Sequence, residues 1–364
     1  MRSLLLVVFL LIFGFGAQSQ GTLSKLLDPD SIKARKFFAV PTIYLTPETN
    51  WAFGAAGFGY FKIGKDSITR PSSIRFGGAY TLNKQVLAYV PYNLFLKKNE
   101  YWLYGELAFY RYPYFFRGVG NDYGEDDFER YDAAFPRFRI TATRKLKKYI
   151  YTGPRYWFQH TDMISVSPGR ILDTAGVTGS AGGTKSGLGW VLNIDSRDKI
   201  FNPTKGYYLQ FETLFNTDLL ASDFNYQTYV ADLRAYYKIK GNHVVALNFY
   251  NQFNYGDVPF NKMAQVGGST YLRGYQLGWY RDKKLSSAQI EFRSAYCMVF
   301  SANVFAGAAI VANELSDMSL SNLRPAAGFG FRMLTDPKER LNLRGDIAFR
   351  PGGYEIYITV GEAF

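Results

Sequence analysis

The chain of 364 residues carries 42 Lys+Arg against 30 Asp+Glu, a formal net charge of +12, with 18% aromatics (29 Tyr, 31 Phe) and a single cysteine, Cys297. One cysteine excludes an intramolecular disulfide framework, so an exported form must be held by a large cooperative fold. The basic residues are scattered along the chain and form no patch, which argues against a nucleic-acid partner.

The chain opens MRSLLLVVFLLIFGFGAQSQ. Arg2 gives a positive n-region, Leu4 to Phe13 an apolar core too short for a resident membrane helix, and Ala17-Gln18-Ser19 a small-x-small site. Residues 1–19 therefore read as a secretory signal peptide. Residues 20–39 read as a short periplasmic N-terminal segment and 40–364 as one further domain. No later stretch reaches about eighteen consecutive apolar residues, so a membrane crossing would have to be made by strands.

Period-two alternation then dominates. In 207–215, Tyr207, Leu209, Phe211 and Phe215 oppose Gln210 and Glu212. In 287–300, read as one strand, Ala288, Ile290, Phe292, Tyr296, Met298 and Phe300 oppose Gln289, Glu291, Arg293, Ala295 and Cys297. In 341–350, Leu341, Leu343, Ile347 and Phe349 oppose Asn342, Arg344, Asp346, Ala348 and Arg350. At the end, Tyr354, Ile356, Ile358, Val360 and Phe364 share one face. A soluble sandwich would pack the apolar faces together, whereas an outer-membrane barrel would turn them to lipid. Three features favour the barrel. The segments are about nine to eleven residues long, enough for a tilted crossing. Tyr101-Trp102, Trp157, Trp190 and Trp279 suit interfacial girdles. The polar faces carry charge, which suits a wet lumen better than a dry core.

Short reversals at 202–206 and 335–339 alternate with long polar connections at 117–132, 161–185 and 257–284, the rhythm of periplasmic turns and extracellular loops. The residues after the signal divide into sixteen strands at roughly 22 residues each. The expected fold is all-β: a sixteen-stranded antiparallel transmembrane β-barrel.

Other motifs carry little chemistry. Gly182-Gly183-Thr184-Lys185-Ser186-Gly187 lacks the second glycine and following helix of a phosphate loop and reads as a flexible loop. His160 and His243 stand far apart without nearby cysteine, so no metal is expected. Glu125-Asp126-Asp127 with Glu129 lacks calcium-loop spacing. Cys297 reads as a small wall residue. With no Gly-x-Ser-x-Gly elbow or other catalytic set, neither an enzyme nor a cofactor is expected.

Four motifs remain. Gly267-Gly268-Ser269-Thr270-Tyr271-Leu272-Arg273-Gly274-Tyr275 lies in the longest connection. Asp195-Ser196-Arg197-Asp198 precedes Phe201-Asn202-Pro203-Thr204-Lys205-Gly206-Tyr207. Ile290-Glu291-Phe292-Arg293 follows, then Ala327-Gly328-Phe329-Gly330-Phe331-Arg332 with Leu343-Arg344-Gly345-Asp346. In kind and in chain order they resemble the BamA/TamA outer-membrane assembly family, the bacterial surface antigens. Leu272-Arg273-Gly274-Tyr275 is similar to that family's loop motif, and Asp195, Arg197, Pro203 and Gly206 to its strand-turn-strand signature. Tyr44-Leu45-Thr46-Pro47-Glu48-Thr49 resembles Bacteroidetes-type members.

The resemblance implies an extracellular loop folded into the lumen, with Arg273 paired to Glu291 and Asp346. In the family the next strand often adds an acid after its Phe; Phe305-Ala306-Gly307-Ala308 has none. It also implies that Phe364 belongs to a C-terminal insertion signal. The implied partners are outer-membrane lipid including lipopolysaccharide, client outer-membrane proteins, and separate periplasmic or lipoprotein partners. Residues 20–39 are too few for the periplasmic POTRA domains of that family, so a client-delivery module is expected on another chain. The implied function is insertion or translocation of proteins at the outer membrane of a Gram-negative bacterium, with a passive pore or structural barrel as the alternative.

Overall fold

The computed structural model describes residues 37–46, 50–61, 63–64, 66, 68–123, 127–337 and 340–364. The expected signal peptide, residues 20–36, residues 47–49, Glu125 and Asp126 lie outside the described residues. Sixteen strands form one antiparallel sheet in chain order. They are β1 (Phe37–Thr46), β2 (Asn50–Phe61), β3 (Ser72–Thr81), β4 (Val86–Leu96), β5 (Tyr101–Phe116), β6 (Glu129–Lys147), β7 (Ile150–Val166), β8 (Gly182–Asp195), β9 (Gly206–Asn216), β10 (Tyr226–Lys238) and β11 (Val244–Gly256), then β14 (Lys284–Arg293), β15 (Phe300–Ala312), β16 (Arg324–Asp336), β17 (Leu341–Arg350) and β18 (Gly353–Val360). Two short strands, β12 (Ala264–Gln265) and β13 (Arg281–Asp282), pair with each other inside the connection from β11 to β14. Among the described residues no ladder joins β1 to β18.

Contacts across the interior show how far the sheet curls. Asn121, after β5, donates to the Val311 carbonyl of β15 at 2.9 Å. Lys262, in the β11–β14 connection, donates to Gln159 of β7 at 2.8 Å.

Burial decides between barrel and sandwich. In β14, Ala288, Ile290 and Phe292 are exposed while Gln289, Glu291 and Arg293 are buried. Phe331 is 66% exposed and Arg332 beside it 1%. A soluble core would reverse that order; an apolar exterior round a polar lumen is the membrane-barrel arrangement. Outward rings also gather near both strand ends. Tyr207 and Tyr237 meet at 6.1 Å near one end, and Phe215, Tyr229 and Tyr255 form a chain at 6.1 and 5.9 Å near the other.

Several expectations need correction. Trp102 packs inward against Phe95, Tyr104 and Tyr151, Trp157 lies under Lys262, and Trp279 is buried in the loop connecting β11 to β14. Of the four tryptophans assigned to girdles only Trp190 is strongly exposed. β6 begins at Glu129, β7 runs on to Val166 and β8 begins at Gly182, so parts of 117–132 and 161–185 are strand. Gly182–Gly187 opens β8, with Lys185 buried. The single strand expected over 287–300 is a strand end and a hairpin. β14 stops at Arg293, Cys297 and Phe300 exchange backbone hydrogen bonds, and Met298 takes φ +53°. Cys297 is exposed in that turn, not a wall residue.

Phe364 does not share the outward face of Tyr354, Ile356, Ile358 and Val360. Gly361, at φ +93°, ends the strand and turns the tail inward. Phe364 packs with Tyr236 and Ala246.

Candidate functional site

The connection from β11 to β14, residues 257–283, folds into the lumen. Its glycines make the path possible. Gly267, Gly268, Gly274 and Gly278 all hold positive φ, a region open to glycine at no steric cost. At Gly274 a Cβ would lie 3.0 Å from the Ala326 Cβ, so the motif's glycine also permits close approach to β16.

Leu272 is buried in an apolar cluster with Tyr250, Leu285 and Val311. That anchors the loop, and Arg273 projects from it into the wall. Nη1 donates to Asp346 Oδ2 at 2.8 Å, and Nη2 makes an ion-pair contact with Glu291 Oε2 at 2.6 Å. All three side chains are fully buried. The guanidinium also lies 3.5 Å over the Phe305 ring, so the phenylalanine of Phe305-Ala306-Gly307-Ala308 contributes a π-face where no acid follows. The Gly274 N–H donates to the Tyr357 hydroxyl at 3.0 Å, and that hydroxyl donates to the Tyr275 carbonyl at 3.0 Å. The Tyr275 hydroxyl donates to the Pro325 carbonyl at 3.1 Å. The four-residue motif thus touches β14, β15, β16, β17 and β18.

The cluster extends beyond what the motif announces. Glu291 accepts from Arg293 Nε at 2.8 Å and from Arg332. Asp346 faces Arg344 Nε at 3.1 Å. A third carboxylate arrives from the inturned tail, where Glu362 accepts from Arg332 Nε at 2.8 Å. Burial opposes ionisation of Glu362, but Arg332 and Arg293 outweigh it and hold its carboxyl below the usual range. Among the described residues this gives four arginines for three carboxylates, and Arg293 also donates to the Phe364 main-chain oxygen at 3.1 Å.

The strand-turn-strand motif joins the same network. Arg197 grips Asp195 with Nε to Oδ1 at 2.9 Å and Nη2 to Oδ2 at 3.2 Å. Gly206, at φ +105°, has the Ser196 carbonyl 2.4 Å from where a Cβ would stand. The Pro203 carbonyl faces Arg293 Nη1 at 3.5 Å. Asn202 donates to the Tyr296 hydroxyl at 2.9 Å, Tyr296 to Asn342 at 2.8 Å, and Asn342 to Glu362 at 2.7 Å. A polar chain therefore runs from the 196–205 turn to the arginine cluster. Tyr296, expected on the apolar face, instead puts its hydroxyl into this polar chain; Glu362 and Tyr357 escaped sequence reasoning, and the break at Gly361 and the inward parity of Tyr357 are the signals that point to them.

His160 lies 3.1 Å from Asp162, and His243 accepts from the Ala295 N–H at 3.0 Å. No group of three or more potential metal ligands occurs among the described residues.

An apolar-outside barrel with a loop bolted into a charged lumen is the form of an integral outer-membrane protein of the plugged type. Residues 80–349 match the Omp85 superfamily domain, and the chain belongs to that superfamily. BamA from Haemophilus ducreyi lacking POTRA domains 1–3 superposes with a TM-score of 0.59 at 14% identity, covering 89% of this chain and 68% of that one. CdiB from Acinetobacter baumannii gives 0.57 at 11% identity, covering 90% and 60%. At these identities the likeness bears on fold. Curated proteins give no sequence match.

Proposed function

We propose that this barrel assists insertion or translocation of proteins at the outer membrane of a Gram-negative bacterium. The observation that carries the reading is the asymmetry of β18. One edge pairs with β17 and its inner face is pinned by the Arg273 loop through Tyr357, while no ladder ties its other edge to β1 among the described residues. An unpaired strand edge presents backbone donors and acceptors that can template an incoming strand. The work is mechanical: the loop braces the lumen while the seam moves. The ligand environment is outer-membrane lipid including lipopolysaccharide, the clients are unfolded outer-membrane proteins, and delivery falls to separate periplasmic or lipoprotein partners. Phe364 and the strand before it serve as the chain's own insertion signal.

The test is folding of an unfolded small barrel into liposomes, followed by its heat-resistant mobility. Native protein should accelerate folding, and Arg273→Ala should weaken the acceleration. No acceleration by the native protein, together with steady lumen conductance in planar bilayers, would replace this reading with a passive pore.

A further inference from the structure

The opposite wall of the lumen is charged in a different way. Arg137 and Arg139 of β6, Arg155 of β7 and Lys185 of β8 face inward, and Lys262 of the plug loop comes down over them. Glu106 of β5 and Glu212 of β9 stand against these five cations. Glu106 lies 3.5 Å from Arg137, and Glu212 pairs with Arg155. Arg139, Lys185 and Lys262 have no carboxylate in ion-pair contact among the described residues.

What they have instead is neutral. Lys262 Nζ donates to Gln159 Oε1 at 2.8 Å, and the same oxygen accepts from Arg137 Nε at 3.3 Å. Lys185 Nζ donates to the Thr161 hydroxyl at 2.8 Å and lies 3.4 Å from Asn261 Oδ1. Asp223, whose carboxylate acts on Lys185 electrostatically without contacting it, accepts from the Thr184 N–H at 2.6 Å. Lys262 Nζ stands 3.7 Å over the Trp157 ring. Arg139 and Trp157 are direct cross-strand neighbours, and the buried Arg139 Nε and Trp157 Nε1 both lack an acceptor. Buried donors left unmade are rare and costly, and buried like charges without counter-charge more so. Guanidinium nitrogens of the Arg273 cluster also lack hydrogen-bond acceptors, but three carboxylates stand in ion-pair contact there, whereas here Glu106 and Glu212 contact only Arg137 and Arg155 among the described residues.

We propose that Arg139, Trp157, Lys185 and Lys262 form an anion-binding site in the lumen that takes a phosphoryl group. The chemistry selects that class. The excess of cations over carboxylates on this wall calls for a multiply charged ligand, and two N–H donors with two amino groups call for several acceptor oxygens on one centre. Burial, reinforced by Arg137, Lys185 and Arg139, holds the Lys262 ammonium well below the usual lysine range, a penalty that a bound dianion would offset. The phosphoryl group can come from free phosphate or from a lipid headgroup.

Trp157 makes the site observable. Inorganic phosphate is titrated into the purified full chain in zwitterionic detergent at constant ionic strength, and tryptophan emission is recorded. A saturable change is expected. It should vanish in Trp157→Phe, and half-saturation should rise at least tenfold in Lys262→Met and in Arg139→Gln. Lys262→Met alters only the loop, so the site stays testable if the wall variant fails to fold. A second arm places the chain in nanodiscs with or without phosphatidic acid, whose phosphomonoester headgroup can carry two charges. A phosphate response only in solution assigns the source as free anion, and a shift with the anionic lipid alone assigns it as headgroup; either upholds the site. No saturable change in either arm, or equal responses in native protein and Lys262→Met, overturns it.

Discussion

Arg273→Ala removes the one cation, among the described residues, in ion-pair contact with both Glu291 and Asp346. Breaking a buried ion pair costs about 3–5 kcal/mol because a charge is left behind. Here neither carboxylate is stranded: Glu291 keeps Arg293 at 2.8 Å and Arg332, and Asp346 keeps Arg344 at 3.1 Å. That places the ion-pair loss near the lower figure. Loss of the guanidinium over Phe305, at 3.5 Å, adds about 1–2 kcal/mol. A total of about 4 kcal/mol, all of it in loop docking, raises the undocked population roughly a thousandfold at 1.4 kcal/mol per decade. Hydrogen exchange measures this directly. The amides of Gly268, bonded to the Tyr275 carbonyl at 2.9 Å, and of Gly278, bonded to that of Val266 at 2.9 Å, should exchange hundreds of times faster in the variant. Amides in the β6–β7 ladder should not change. Arg273→Lys should fall between, since an ammonium cannot fork to two carboxylates. Exchange within threefold of native in Arg273→Ala would refute the claim that this arginine holds the loop.

Three further predictions concern the tail, the motif glycine and the exterior. The folded pKa of Glu362 is depressed, so its stabilising contribution is present above the unfolded value near 4.5 and is lost as pH falls through the lower folded value. Acidification should therefore free the Gly361 amide, which donates to the Asn342 carbonyl at 2.8 Å; Glu362→Gln should free it already at neutral pH, and an acid step unchanged in that variant would count against the assignment. Gly274→Ala forces an alanine to φ +110° and its Cβ to 3.0 Å from that of Ala326, a strain of about 1–3 kcal/mol that should lower the thermal midpoint; an unchanged midpoint would show that the loop path does not need glycine. Ile290→Lys places a charge on a side chain 50% exposed on the outer face, which should cost about 2–4 kcal/mol near the bilayer midplane. Folding yield should drop in lipid vesicles and hold in detergent, and equal loss in both would mean that this face does not meet lipid.

Parity made the wall legible. Glu291, Arg293, Arg344 and Asp346 could be placed on the inner face from alternation alone, because a strand leaves each side chain only two directions. The same rule misled where no breaker interrupts it. Ser294–Val299 has neither glycine nor proline, so its hairpin reads as continuing strand, and the expectation ran from 287 to 300. Tryptophans were placed by residue type instead of by parity, and so Trp102 and Trp157 went to the wrong face. Contacts between distant segments were illegible for another reason. Glu362 is a single acid near the end of the sequence, and only the curl of the whole sheet brings it to Arg332. Lys185 and Asn261 are 76 positions apart and Lys262 and Gln159 are 103 apart, in no periodic pattern, and they meet because the loop descends into the barrel.

The tail and the loop act on the same strand. A barrel strand normally takes its position from ladders on both edges, each supplying a row of backbone hydrogen bonds. β18 has such a ladder to β17, and its place is otherwise set from inside: Tyr357 is held by Gly274 and Tyr275, and beyond Val360 the chain is held by Glu362 and Phe364. Interior side-chain contacts can be broken without unzipping a ladder, and remade without re-registering one. A strand held by one ladder and by interior contacts has fewer backbone bonds to give up than a strand laddered on both edges, so β18 can shift at the cost of its β17 ladder alone. In the proposed function the charged cluster therefore serves the seam as well as the fold: Arg332 bridges Glu291 on the wall to Glu362 on the tail, so the forces that seat the plug are the forces that seat the last strand.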